Sequence, residues 1–239
     1  MTIAAWVRPA AITGSHDAVV VYGQGADDSD ATWFRLNVNA SAARAVLSVN
    51  NTTALATASA PVVGQWQHLA AVFASSTGRT AYRNGAAGSE NTTSLSPVRT
   101  PNACLVGRLP STINANWFNG DIAHVAIWSA SLTAGEIASL ASGASPLLVR
   151  PDSLAAYWPL RGLAADRPEP GIVRGLNLTV TGTAWADDPQ IGGPDPLPRL
   201  HGGSWWYAAP AANPEAGGEV SLWGCGAISF GGFRMTPRA

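Results

Sequence analysis

From Met1 to about Trp185 the chain is a succession of short apolar or alternating runs, each closed by Gly, Pro, Asn or Asp. That spacing belongs to an all-β protein, because a strand of about four to eight residues buries one face before a turn residue reverses the chain. The candidate strands are Thr2 to Arg8, Ala18 to Tyr22, Trp33 to Val38, Ala45 to Val49, Ala54 to Ala58, Gln67 to Phe73, Arg79 to Arg83, Ala103 to Arg108, Asp121 to Trp128, Leu154 to Leu160 and Leu176 to Thr181. Gln67 to Phe73 runs through Ser75, Ser76, Thr77 and Gly78 into Arg79 to Arg83, which predicts a β-hairpin at the centre of one sheet. Asn84-Gly85 then offers two residues that tolerate positive φ, as the next tight turn requires. After Trp128 the period changes. Thr133 and Glu136 stand in capping-box spacing, so a short helix with Ile137 and Leu140 facing inward is expected, ended by Gly143.

With 239 residues, one large sandwich plus an appendage is the natural organisation. Charged residues make up only 12%, about half of the usual ~25%, so Ser, Thr and Asn must solvate the surface or a partner must cover part of it. Ten tryptophans point the same way, since Trp is enriched at interfaces and on sugar platforms. A net charge of −1 without any run of like charges argues against a nucleic-acid partner. Two cysteines, Cys104 and Cys225, are too few for a disulfide framework or a zinc site; free buried thiols and a single bridge both remain open. MTIAAWVRPA lacks the basic and apolar regions of an export signal, and no stretch approaches the ~18 apolar residues of a membrane helix, so neither secretion nor a membrane partner is expected. Sequons at Asn39, Asn50, Asn51, Asn91 and Asn177 then simply mark polar β loops.

At Ala186 the composition shifts. Asp187 to Pro196 reads as a linker. Beyond it, Trp205, Trp206, Tyr207, Trp223, Ile228, Phe230 and Phe233 sit among glycines in a segment too short for an independent core. The expected domains are therefore 1–185, a sandwich, and 186–239, a linker and an aromatic C-terminal arm. Trp205, Trp206, Tyr207, Trp223, Phe230 and Phe233 form the expected assembly interface, docked on the same sandwich or on a neighbouring subunit.

Three stretches carry a family resemblance: Gly64-Gln-Trp-Gln-His-Leu-Ala-Ala-Val-Phe73 with Tyr82-Arg-Asn-Gly85 behind it, Trp117-Phe-Asn-Gly-Asp-Ile-Ala-His-Val-Ala-Ile-Trp128 with the helical turn after it, and Thr2-Ile-Ala-Ala-Trp-Val-Arg-Pro9. In these the chain resembles the laminin-G-like branch of the concanavalin A-like lectin/glucanase superfamily, over about three quarters of its length. The resemblance implies an all-β fold, an antiparallel two-sheet jelly-roll sandwich. It also implies a circular permutation, because segments like Leu154 to Leu160 and Leu176 to Gly182 come first in most such domains and last here.

Glucanases of that superfamily need carboxylates alternating along a strand, about 5 to 5.5 Å apart across the sugar. No strand here supplies them, and His124 stands where the resemblance would place an acid, so an enzyme is not expected. His16, His68, His124 and His201 lack the spacing of a zinc site or a catalytic pair; His68 and His124 read as structural residues within strands. Calcium is the one cofactor the resemblance brings in, with Asp27, Asp28 and Asp30 as oxygen ligands in a glycine-bordered loop. Trp6, Trp66, Trp128 and Trp158 fall in strand patterns and are expected in the core. Trp33 and Trp117, with Asn114, Asn116 and Asn119, are the candidate sugar-binding residues, an exposed ring for the apolar face of a sugar and amides for its hydroxyls.

Two functions fit. The first is a non-enzymatic structural or adhesive virion protein of a bacteriophage, made in the bacterial cytoplasm. It would be a head decoration or tail-associated protein that joins other capsid or tail proteins and copies of itself through the arm, and binds surface glycans weakly. The second is a carbohydrate-binding module with a calcium-assisted rim site.

Overall fold

The computed structural model describes residues 1–12, 17–24, 31–109, 117–160, 171–173, 178 and 189, and the backbone of 229–230 and 233–234. Two antiparallel sheets face each other. The first has the order β11-β10-β1-β6-β7-β8, from β1 (Thr2–Pro9), β6 (Gln67–Phe73), β7 (Arg79–Arg83), β8 (Ala86–Ala87), β10 (Gly120–Trp128) and β11 (Leu154–Trp158). The second runs β5-β4-β3-β2-β9, from β2 (Asp17–Gln24), β3 (Thr32–Asn39), β4 (Ala42–Val49), β5 (Thr52–Ala58) and β9 (Ala103–Val106). Ten of the eleven expected strands are present. Leu176 to Thr181 lies outside the described residues, Leu178 excepted.

Alternation builds the core. Ile3, Ala5 and Val7 of β1, Leu36 and Val38 of β3, Ala45 and Leu47 of β4 and Leu69 and Ala71 of β6 are fully buried between the sheets. Each such large aliphatic side chain contributes about 1.5 to 3 kcal/mol relative to exposure. Phe34 and Phe73 meet edge to face across the layer, with ring centroids 5.0 Å apart.

Tight turns set the register. Asn50 and Asn51 have φ of 46° and 63° and close β4 onto β5, while Asn84 and Gly85, at 49° and 81°, close β7 onto β8 as expected. These are two-residue turns whose twist matches the strands they join. The β6–β7 hairpin forms, but β1 and β6 are the central pair of their sheet. Since β8 is only two residues long, β7 lies close to the sheet edge.

Helix α1 (Ala134–Ala141) covers the outer face of the six-stranded sheet. Thr133 and Glu136 make the full capping box, and Ile137 and Leu140 are buried against Ala70, Tyr82 and Trp128. Gly143, at φ 95°, follows the C-cap residue Ser142. Arg150 holds the start of the helix, its Nε and Nη2 donating to the two Glu136 carboxylate oxygens at 2.8 Å each.

By Cα packing the chain divides into Met1–Gly192 and Gly193–Ala239. In the second unit the described backbone is a hairpin of β12 (Ser229–Phe230) with β13 (Phe233–Arg234). Trp205, Trp206, Tyr207 and Trp223 lie outside the described residues, as does Cys225.

Trp128 and Trp158 are core residues, as expected. Trp6 and Trp66 are not; both are half-buried. Trp6 follows from the pleat: with Ala5 and Val7 inside, it must emerge on the outer face. Trp66 immediately precedes β6, and with Leu69 and Ala71 inside it falls on the outer face as well. Cys104 is a free thiol, and burial of its sulfur pushes its pKa up to about 12, so it is an inert apolar group rather than a nucleophile.

Candidate functional site

The segment Trp117–Gly120 crosses from one sheet to the other. Phe118 donates its N–H to the Gly107 carbonyl at 2.9 Å, and the Asn119 carbonyl accepts from Ala10 at 2.9 Å. Trp117 itself bridges to Ala18 of β2, alongside the five-stranded sheet. The Phe118 ring packs on the inter-sheet core, and neighbouring residues of extended chain point opposite ways. Trp117 and Asn119 are consequently turned outward.

Trp117 is 51% exposed, while Trp33, Trp128 and Trp158 are all buried below 4%. The Arg108 guanidinium stands 5.4 Å from the centroid of the Trp117 ring, a cation–π contact that orients the indole without covering it. Asn119 is exposed beside it. A rigid apolar surface with amide and guanidinium donors at its border is the arrangement a sugar ring calls for, since each sugar has apolar C–H faces and a polar circumference. Gly120 makes this crossing possible: at φ 149°, a Cβ there would stand 2.4 Å from the Arg8 carbonyl oxygen.

Trp33 does not join this site. It is 1% exposed, in an apolar cluster with Ala18, Val21 and Ala31 on the outer side of the five-stranded sheet. Its partner in the register is Gly23, and the missing side chain admits the indole, for a Cβ at Gly23 would lie 2.6 Å from Cε3 of Trp33. Expected as a sugar platform, Trp33 is a packing residue. Asn114, Asn116 and the acidic triplet Asp27, Asp28 and Asp30 lie outside the described residues. Among the described residues no group of three or more His, Cys, Asp or Glu could hold a metal ion.

Arg108 escaped the sequence reading because it is nine residues from Trp117 in a different segment, and only the fold joins them. Of the expected structural histidines, His124 lies in β10 and His68 in β6. His124 sits at φ 51°, beside the register shift of β10, with Nδ1 2.7 Å from the Tyr157 hydroxyl. His68 is fully enclosed and packs edge-on against Trp6 at 5.7 Å, and burial pushes its pKa down to about 3.

A family model described as the concanavalin A-like lectin/glucanases superfamily matches residues 1–138. No curated protein matches this sequence. Among solved structures, a Bacteroides ovatus protein provisionally described as carbohydrate binding superposes with a TM-score of 0.59 at 15% identity, covering 80% of this chain and 54% of its own. The chain thus spans about half the length of that protein. The CBM40 of Ruminococcus gnavus IT-sialidase, solved with α2,6 sialyllactose, is similar at 15% identity and TM-score 0.49, over 59% of this chain and 82% of its own. Tailspike protein 2 of an Escherichia coli O157:H7 bacteriophage follows at 18% identity and TM-score 0.46, over 66% of this chain and 23% of the tailspike. With its two-sheet jelly roll and a family match over more than half its length, the chain belongs to the concanavalin A-like lectin/glucanases superfamily.

Proposed function

We propose that this chain is a non-catalytic carbohydrate-binding domain that holds a sugar against Trp117. The observation that carries the reading is the outward indole of Trp117, fixed by Phe118 in the core and oriented by Arg108, with Asn119 exposed at its side. Fold alone does not assign function. It is nonetheless a supporting circumstance that the Bacteroides ovatus protein of the same fold is described as carbohydrate binding. A ring of this exposure stacks on the sugar, and Arg108 and Asn119 bond its hydroxyls.

Affinity electrophoresis tests this. In gels cast with soluble polysaccharides of different backbone sugars, the wild-type chain should be retarded by at least one, and Trp117→Ala should run as in the empty gel. Equal mobility of both proteins in every gel would remove the proposal. A reducing-sugar assay on the retarding polysaccharide should show no release above the buffer control.

Calcium at Asp27, Asp28 and Asp30, and assembly into a phage particle through the arm bearing Trp205, Trp206, Tyr207, Trp223, Phe230 and Phe233, are separate proposals that rest on residue chemistry alone. Titration with calcium tests the first. Truncation after Trp185 tests the second: the shortened chain should stay folded and lose assembly.

A further inference from the structure

A second indole stands under an arginine on the other side of the sandwich. Val7 is buried between the sheets, so Arg8, its neighbour on β1, emerges on the outer face of the six-stranded sheet. Its guanidinium lies 5.1 Å from the Trp66 ring centroid, which places half-buried Trp66 on that same face. Asp121 is the register partner of Arg8 on β10, and Arg8 Nε donates to Asp121 Oδ2 at 2.7 Å. The two side chains are 29% and 31% exposed. Trp117, bridged to Ala18 and turned away from the core, belongs to the five-stranded side.

The chemistry of this row is suited to a ligand. The ion pair engages the Nε of Arg8 and Oδ2 of Asp121, so the Nη donors and Oδ1 are left out of it, on two partly exposed side chains beside an aromatic ring. Two neighbouring hydroxyls of a sugar match that set: the oxygen of one accepts from a guanidinium Nη, and the other donates to Oδ1. Because guanidinium and carboxylate neutralise one another, the ligand class is an uncharged sugar with a vicinal diol. A hydrogen-bonded ion pair held by strand register is also preorganised, so little side-chain entropy is lost when the sugar arrives. Trp6, half-buried on the same face and packed on His68, extends the apolar surface.

We infer that Trp66, Arg8 and Asp121 form a second sugar site, on the face opposite Trp117, and that the domain is therefore bivalent. This rests on the carbohydrate-binding reading above. Two sites facing opposite ways cannot grip one short sugar together; they bind two chains, and avidity arises when both chains belong to one surface or network.

The test is a titration followed by indole N–H resonances and calorimetry, with gluco-, manno-, galacto- and arabino-trisaccharides as probes. The wild type should bind two trisaccharides per chain, with the Trp66 and Trp117 indole signals shifting along separate curves. Trp66→Ala and Asp121→Asn should each reduce the stoichiometry to one and leave the Trp117 curve unchanged, and Trp117→Ala should do the converse. Thermal melts of each variant within a few degrees of wild type exclude misfolding. A stoichiometry of one in the wild type, lost in Trp117→Ala and untouched by Trp66→Ala, would overturn the second site while leaving the first. Absence of any shift with all four probes would remove both.

Discussion

Arg108 stands over the ring of Trp117 with its guanidinium 5.4 Å from the ring centroid, although the two residues are nine positions apart and only Trp117 belongs to the crossing. The contact orients a side chain that packing alone would leave free to rotate. Removing the guanidinium should therefore weaken sugar binding without touching the fold. Arg108→Ala is expected to reduce affinity several-fold and Trp117→Ala by tenfold or more. Both are exposed, so their melting curves should stay within about 0.5 kcal/mol of wild type. Tryptophan fluorescence titration and a urea melt of each variant measure the two effects separately.

His68 predicts an acid-sensitive limb in the stability profile. Enclosed in the sheet, it is held neutral with a pKa of about 3, whereas an unfolded imidazole titrates near 6.5. Between those values the unfolded chain carries a proton that the folded chain refuses. Stability is thus fully present above about pH 6.5 and falls as the pH drops toward about 3, at about 1.4 kcal/mol per unit. The difference between wild type and His68→Leu in urea melts from pH 7 to pH 4 isolates this contribution. Parallel profiles would show that the imidazole is not excluded from solvent.

The first turn of α1 offers a local test. The Thr133 side chain accepts from Glu136 N–H at 3.3 Å, and the Glu136 carboxylate takes the Thr133 N–H at 2.6 Å. That backbone bond, with Arg150 beyond it, holds the Glu136 carboxyl below its ordinary range. Thr133→Ala should cost about 1 kcal/mol, as loss of an N-cap does. Chemical denaturation reads this directly, and an unchanged midpoint would mean that the cap adds nothing to a helix already fixed by Ile137 and Leu140.

Strands and turns could be read from the amino acids because their causes are local. Alternation at Thr2 to Arg8 and the φ-positive pair Asn84-Gly85 act within a few residues, and so does the capping box of α1. The residues of the proposed site were legible only in part. Trp117 could be singled out, since it sits among asparagines outside any strand pattern. Trp33 looked equivalent, yet its fate was decided by Gly23 on the neighbouring strand, a cross-strand fact that no window along the chain contains. The same holds for Arg8 with Trp66 and for Arg108 with Trp117, which are pairs made by register and crossing rather than by spacing.

Gly23 itself should be intolerant of change. A Cβ there would lie 2.0 Å from the Thr32 carbonyl oxygen and would push Trp33 off its bed. Gly23→Ala is expected to destabilise by about 1 to 3 kcal/mol, the range for overpacking a filled interior. Near-ultraviolet circular dichroism should show an altered indole environment at the same time. A wild-type melt and spectrum would mean that the ring and strand move apart without cost.

Sugar capture by the folded chain is measured most directly on a glycan array probed with the purified wild-type protein in parallel with Trp117→Ala. Specific signals on a related set of sugars for the wild type, and none for the variant, are the predicted result. A silent wild type, or the same signals from both proteins, would contradict it.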